Sequence, residues 1–463
     1  MQGKILIVDA ISTNRIILKV KLAASYCDIL QAASLSDALA AARTHAPDLI
    51  ICAMTLPDGD AASFCTALRS DAATRAIPVL ALGRTSTPKA RLALLEAGGQ
   101  DVMMHPFDDA LLLARVRSLI RAFGAVAEWQ MRDDTSHALG FADNKTDFVP
   151  SGHTALICSD AARAQVWQAR LKPLLGSSLR HAPPELALRD LAPAQTPDVF
   201  VLCIGTHESD SATVLHLLAA IRANAGTRHA GILVVQSGGN PRLGADALDL
   251  GADDLMTTGF NAAELALRVT ALMGRKRIAD RLRATLRTGL QAAVCDPLTG
   301  LHNRRYAMPH LTRMAEHAVG TGRSFAVMLA DMDHFKRIND DFGHASGDAV
   351  LIEAAHRLRS SLRSVDLLAR IGGEEFLIVM PATPLADARR AALRLCQAIS
   401  DRPFDVPGSA TPIPVTISIG LALGGTATSG AANAEALLDA ADKALYGAKM
   451  QGRNQVTLSR PAA

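Results

Sequence analysis

Aromatic residues are scarce in this 463-residue chain, where Phe, Trp and Tyr together make up 4%. Its cores must therefore be filled by Ala, Leu, Val and Ile, and a hydrophobic content of 49% is ample for several of them. Cysteine is thin as well. The seven cysteines (Cys27, Cys52, Cys65, Cys158, Cys203, Cys295, Cys396) are scattered and never spaced C-x-x-C. That excludes a disulfide framework and the common zinc motifs, and reads as small core residues in a reducing compartment. Net charge is small: 48 basic against 45 acidic residues leave +3, without the basic excess of a nucleic-acid scaffold. No uncharged apolar run approaches the ~18 residues of a membrane span. The apolar run after Met-Gln-Gly-Lys comes too early and is too brief for a secretory signal. A cytoplasmic protein with no membrane span and no nucleic-acid partner is expected.

The length predicts about three domains. Residues 4–9 form a β-branched apolar run of the kind that makes a buried parallel strand. Helical patterning follows over Asn14–Ala24, and strand-like runs recur at Asp48–Ala53, Pro78–Leu82 and Asp101–Met104. This alternation predicts a doubly wound α/β domain over residues 1–122. The pattern then repeats at an offset of roughly 150 residues: Ala155–Ser159 matches Ile5–Asp9, and Pro197–Cys203 matches Pro47–Ala53. Gly251–Asp254 with the later Leu267-Arg268-Val269 likewise matches Gly98–Asp101 with Ala114-Arg115-Val116. A second copy is expected over 153–275, with a linker at 123–152 that is polar from Asp133 onward. Residues 276–294 continue a proline-free helical stretch and are expected to form a connecting helix able to pair with a second copy of the chain.

The third domain, 295–461, mixes helices and strands around a hairpin at Gly372–Gly373, which fits an α+β antiparallel sheet. Asp296 before Pro297 is expected to cap its first helix, which runs through Ala318. Two acidic sites stand out there. Asp331-Met332-Asp333 ends a strand, and Gly372-Gly373-Glu374-Glu375 forms the hairpin tip. Two glycines allow a tight turn and let a polyanion approach the backbone, and carboxylates on strand ends and turns are the hard oxygen ligands that Mg²⁺ takes. An acidic turn alone is usually a solvated hairpin, so its surroundings decide.

Those surroundings comprise Asp296-Pro-Leu-Thr-Gly-Leu-His-Asn-Arg-Arg305, Asp331-Met-Asp-His-Phe-Lys-Arg-Ile-Asn-Asp340 and Phe342-Gly-His-Ala-Ser-Gly-Asp348. Arg370-Ile-Gly-Gly-Glu-Glu-Phe376, Val415-Thr-Ile-Ser-Ile-Gly420 and the run from Asp442 to Asn454 follow in order. In these motifs the domain resembles the GGDEF family of diguanylate cyclases, in its GGEEF variant. The resemblance implies condensation of two GTP into cyclic di-GMP with release of two pyrophosphates, in a homodimer. It implies two Mg²⁺ per active site, with Mn²⁺ as an alternative, held by Asp331, the Met332 carbonyl, Glu374 and Glu375. Glu374 is also the family's proposed general base, and its metal role ranks first. Lys336 would set a catalytic positive charge against the triphosphate. Lys449 and Arg453, four apart on one helix face, would reach the terminal phosphates. Asn339 and Asp348 match the guanine-reading pair, with His344 lining the same pocket. Arg363-Ser-Val-Asp366, five residues short of Gly372, matches the RxxD site through which product inhibits, and Arg394 matches a secondary arginine of that site.

The two N-terminal copies resemble response-regulator receivers, so the whole chain resembles the receiver–receiver–GGDEF architecture of the PleD type. Both receivers have lost their chemistry. Asp9 remains, but its acidic partner position holds Ala10, the phosphoacceptor position Ala53, the hydroxyl position Gly83 and the lysine position His105. In the second copy the acceptor position holds Cys203 and the lysine position Thr258. Alanine has no nucleophile, and one carboxylate alone holds Mg²⁺ poorly. The receivers are therefore expected to mediate dimerisation without phosphorylation. A catalytically silent cyclic di-GMP receptor acting through Arg363 and Asp366 is the rival reading. The retained Asp331, Lys336, Asn339, Asp348, Glu374 and Glu375 argue against it.

Overall fold

The computed structural model describes residues 3–23, 28–84, 87–138, 152–175, 178–189, 196–205, 208–236, 240–407, 409, 411–425 and 434–459. Cys27 lies outside them. The chain divides into two compact units, Met1–Ala284 and Thr285–Ala463.

The first unit holds both receiver-like copies. The first copy runs β1 (Lys4–Val8), α1 (Ser12–Ala23), β2 (Asp28–Ala32), α2 (Leu35–His45) and β3 (Leu49–Ala53). A small ribbon of β4 (Thr55–Leu56) and β5 (Gly59–Asp60) leads to α3 (Ala61–Ser70), β6 (Val79–Gly83), α4 (Pro88–Glu96), β7 (Asp101–Met104) and α5 (Asp109–Ala138). The five main strands are parallel in the order β2-β1-β3-β6-β7. Ile5, Ile7, Leu49 and Ile51 are buried among residues of α5, whereas Leu6, Val8, Ile50 and Cys52 are buried among residues of α2 and α3. That two-sided burial is why these strands read as unbroken apolar runs. Helix starts follow side-chain chemistry: Ser34 caps α2, and Asp60 with Ser63 forms a capping box on α3. The segment read as a linker begins as a continuation of α5 through Ala138, and residues 139–151 lie outside the described residues.

The second copy repeats the plan with β8 (His153–Ile157), α6 (Ala161–Leu171), β9 (Ser178–Ala182), β10 (Val199–Ile204), α7 (Glu208–Ala223), β11 (Gly231–Gln236), α8 (Pro241–Asp249), β12 (Asp254–Met256) and α9 (Ala262–Val294). Its parallel order is β12-β11-β10-β8-β9. The register corrects the sequence alignment by one residue. Val8 pairs Cys52, and Ile157 pairs Leu202. With Cys203 equivalent to Ala53, the counterpart of Asp9 is therefore Cys158, not Ser159.

The two copies bury a charged square between them. Asp101 opens β7 and Arg115 lies on α5; Asp254 and Arg268 hold the same places in the second copy. Arg115 meets Asp101 at 2.8 Å and also bonds Asp254, while Arg268 reaches Asp101 at 2.6 Å and Asp254 at 2.8 Å. Glu264 joins Arg268 at 2.8 Å and Arg91 at 3.3 Å. Burial alone would raise Asp254, yet Arg268 and Arg115 hold it down at about 2.

The second unit contains β13 (His302–Asn303), α10 (Arg304–Thr321), β14 (Phe325–Met332), α11 (Phe335–Phe342), α12 (His344–Ser360), β15 (Leu367–Arg370), β16 (Glu375–Met380), α13 (Leu385–Ser400), β17 (Ile417–Gly424), α14 (Ala434–Met450) and β18 (Val456–Leu458). The sheet order is β13-β15-β16-β14-β17-β18. Its central four strands are antiparallel, as expected, while β13 and β18 add to the edges in parallel, making the sheet mixed. The period-two alternation of β14 sorts the core. Ala326, Met328, Ala330 and Met332 pack among residues of α12 and α13, and Phe325, Val327 and Leu329 pack among residues of α10 and α14. The first helix begins at Arg304 under an Asn303 cap, later than expected. Asp296 instead closes a turn, accepting from the Thr299 amide at 2.9 Å and the Thr299 hydroxyl at 2.7 Å.

Candidate active site

The alternation of β14 that buries its apolar residues carries Asp331 to the α14 face at the strand's end. Gly420 lets α14 lie directly on β17, since a Cβ there would sit 2.1 Å from the Ala441 carbonyl oxygen and 2.3 Å from the Leu445 nitrogen. That close seat brings Lys449, in the last turn of α14, to Asp331: Nζ lies 2.8 Å from Oδ2. Asp331 is buried, and burial raises its pKa against the opposing pull of Lys449.

The hairpin delivers the other carboxylates. Asp331 pairs across the ladder with Glu375, and the Met332 amide donates to the Glu374 carbonyl at 3.2 Å. Glu374 is half-buried, with a pKa raised first by burial and then by the nearby charges of Asp331 and Glu375, Lys449 opposing. Gly372 leaves room for the Glu375 side chain, whose Oε2 lies 2.5 Å from where a Cβ would stand and would have to swing aside for one. Arg370 clamps the turn by donating to the Gly373 carbonyl at 2.7 and 3.0 Å and to Asp296 at 3.0 Å. Burial works against ionisation of Asp296, but Thr299 and Arg370 hold its pKa low. Asp333, next to the site, is consumed by structure: Thr416 and Ser418 hydroxyls donate to it at 2.7 Å, and the Asn454 amide at 3.0 Å.

Asn339 on α11 lies against Gly347 of α12, the neighbour of Asp348; a Cβ at Gly347 would fall 1.9 Å from Asn339 Oδ1. Asp348, His344 and Lys336 are exposed on the same two helices. Arg453 departs from expectation. Helix α14 ends at Met450, and Gly452, Arg453 and Asn454 follow with φ of 115°, 65° and 45°. Arg453 thus sits on a left-handed turn past the helix rather than on its face, yet its charge still acts on Asp331.

Away from these groups, Arg363 is exposed and Asp366 is buried, its carboxylate accepting from the Arg363 amide at 2.9 Å. Arg394 of α13 donates to the Ser361 carbonyl at 3.1 Å, which brings it beside that turn. Sequence reasoning missed the Arg370–Asp296 clamp and the Lys449–Asp331 pair. Arg370 immediately preceding the hairpin was the available signal for the first.

Residues 293–455 match the family model of the diguanylate cyclase GGDEF domain, and residues 5–117 that of the response regulator receiver domain. Over 463 residues the chain is 36% identical to the response regulator PleD of Caulobacter vibrioides, covering 98% of this chain and 99% of that protein. The chain belongs to the PleD-like diguanylate cyclases. A further relative of this cyclase, diguanylate cyclase DgcP of Pseudomonas aeruginosa, is 40% identical over 200 residues, which is 42% of this chain and 29% of that one. Its substrate is accordingly GTP and its product cyclic di-GMP, and GGDEF cyclases as a family use divalent metal ions. Among the described residues, no helix of this cyclase is long and apolar enough to cross a membrane.

Proposed function

We propose that each C-terminal unit binds one GTP and that two copies of the chain face each other, so that each 3′ oxygen attacks the α-phosphorus of the opposite nucleotide. Two phosphodiester bonds form and two pyrophosphates leave. The observation that carries this reading is the meeting of Asp331, Glu374 and Lys449 at the end of β14.

The carboxylates suit a hard dication chemically: they repel one another, and Asp331 already holds a cation in the Lys449 ammonium. Among the described residues they are not gathered into a ready three-ligand cage. Asp331, the Met332 carbonyl, Glu374 and Glu375 would hold two Mg²⁺ (or Mn²⁺), which when bound supply charge neutralisation at the α-phosphate and the attacking oxygen. Glu374 also stands as the candidate acceptor of the 3′ proton, ranked after its ligand role. Lys336, Lys449 and Arg453 orient the triphosphate by charge. Asn339 and Asp348 read the guanine edge, the carboxylate accepting from N1–H and N2–H, with His344 beside them. A non-hydrolysable GTP analogue should bind the full chain far more tightly with Mg²⁺ than with EDTA; equal affinity in both would refute the metal-assisted site.

Gly347→Ala tests base reading without endangering the fold. Ala favours a helix over Gly by about 1 kcal/mol, but its methyl must displace the Asn339 amide. Losing one such hydrogen bond, about 1.4 kcal/mol, should raise KM for GTP about tenfold with the melting temperature unchanged.

Arg363, Asp366 and Arg394 are proposed as the product-inhibition site. Arg363→Ala should weaken inhibition by cyclic di-GMP by about 10–100-fold, the worth of a charge-assisted hydrogen bond, without lowering the initial rate. The receivers are proposed to support dimerisation without phosphorylation. Acetyl phosphate or beryllofluoride should leave the rate unchanged, because Ala53 and Cys203 stand where the acceptor is needed. A severalfold activation would contradict this.

A further inference from the structure

The second receiver-like copy carries two cysteines where a receiver keeps two of its acidic groups. Strands β8 and β10 run parallel with Ile157 opposite Leu202, so the residues that follow, Cys158 just past β8 and Cys203 on β10, come side by side at the C-terminal edge of the sheet. Neighbouring strands lie about 4.8 Å apart, inside the roughly 4.4–6.8 Å range of Cα separations that a disulfide spans. Both side chains are buried, at 2% and 3% exposure, and each acts on the other's acidity. They share a core cluster with Trp167 of α6 and with Leu265 and Val269 of α9.

The pair is chemically unequal. The Cys203 hydrogen bond, the Asp160 backbone amide and the Arg163 charge bring the Cys158 thiol down to about 6, against burial and the Asp160 carboxylate. Cys203 is pushed well up, first by burial and then by Cys158. Cys158 is thus the more acidic thiol of the two, the order that a nucleophile and its resolving partner require. The other buried cysteines differ. Burial pushes Cys65 up to about 11 and Cys396 up to about 12, and raises Cys52 further still.

We propose that Cys158 and Cys203 form a reversible dithiol–disulfide couple that takes two-electron oxidation by a hydroperoxide at the place where a receiver accepts a phosphoryl group. The Cys158 thiolate attacks one oxygen of hydrogen peroxide. The O–O bond breaks, and the hydroxide released is protonated to water, leaving Cys158 as a sulfenic acid. Cys203 sulfur then attacks Cys158 sulfur, the S–O bond breaks, and the hydroxyl leaves as a second water with the Cys203 proton. Two thiols and one peroxide thus become one disulfide and two waters, and a dithiol reductant such as dithiothreitol reverses the change by exchange.

The full chain, reduced with dithiothreitol and desalted, is treated with hydrogen peroxide, alkylated under denaturing conditions, digested and read by mass spectrometry. The expected result is a peptide pair joined through Cys158 and Cys203, two hydrogens lighter than the free thiols and returned to them by dithiothreitol, with Cys52, Cys65 and Cys396 still alkylated. Cys203→Ser should remove the linked pair and leave Cys158 trapped by dimedone as a sulfenic acid. Complete alkylation of Cys158 and Cys203 in peroxide-treated wild type would overturn the proposal. So would dimedone labelling of Cys158 in Cys203→Ser no greater than that of Cys52.

Discussion

Glu374→Gln in the full chain is expected to lower the rate of cyclic di-GMP synthesis by about 10²–10⁴-fold, with an unchanged thermal unfolding curve. The size follows from the position. Glu374 is half-buried beside Asp331, its Met332-linked backbone is locked into the hairpin, and its side chain is close enough to raise the energy of its own ionised form. The amide keeps volume and hydrogen bonding but removes the charge that a divalent ion would pair with. GTP binding in EDTA should therefore change little, while the gain in binding on adding Mg²⁺ should shrink. A variant within threefold of wild type would show that this carboxylate is neither ligand nor base.

Arg268→Ala is expected to destabilise the N-terminal unit by about 3–5 kcal/mol, because Asp101, Asp254 and Glu264 would be left buried with too little opposing charge. At about 2–4 °C per kcal/mol for a unit of this class, its unfolding transition should fall by roughly 6–20 °C. Calorimetry of the full chain reads this directly, with the transition of the C-terminal unit as an internal reference. The same square sets an acid limit. Asp254 is held at about 2 when folded, below its ordinary value near 3.9, so its contribution is complete above about pH 4 and is lost as pH falls through about 2. A shift of under 2 °C in Arg268→Ala would mean that the square is not what joins the two copies.

Much of this was legible in the sequence because it was repetitive or chemically marked. Parallel strands buried on both faces read as the apolar runs at 4–9 and 48–53, and the repeat near 150 residues announced a second copy. The catalytic motifs were legible by residue type and spacing. What escaped was whatever depends on packing between distant segments. Nothing local tells that Arg115 and Arg268 cross to each other's aspartates, or that Arg370 ties Asp296 to the Gly373 carbonyl. The Arg453 error came from extending a helical period past Gly452, where φ of 115° ends it. Cys158 was misaligned by one residue because the repeats differ by one position between their first and third strands, and strand register alone resolves that.

The proposed site at Asp331, Glu374 and Lys449 joins two guanosine nucleotides with the help of a divalent metal. The most direct measurement is the product balance when purified full-length protein is incubated with GTP and Mg²⁺ and the nucleotides are separated by chromatography. Cyclic di-GMP with two pyrophosphates per molecule, abolished by EDTA, is expected. Intact GTP, or GDP and phosphate without any cyclic dinucleotide, would contradict it.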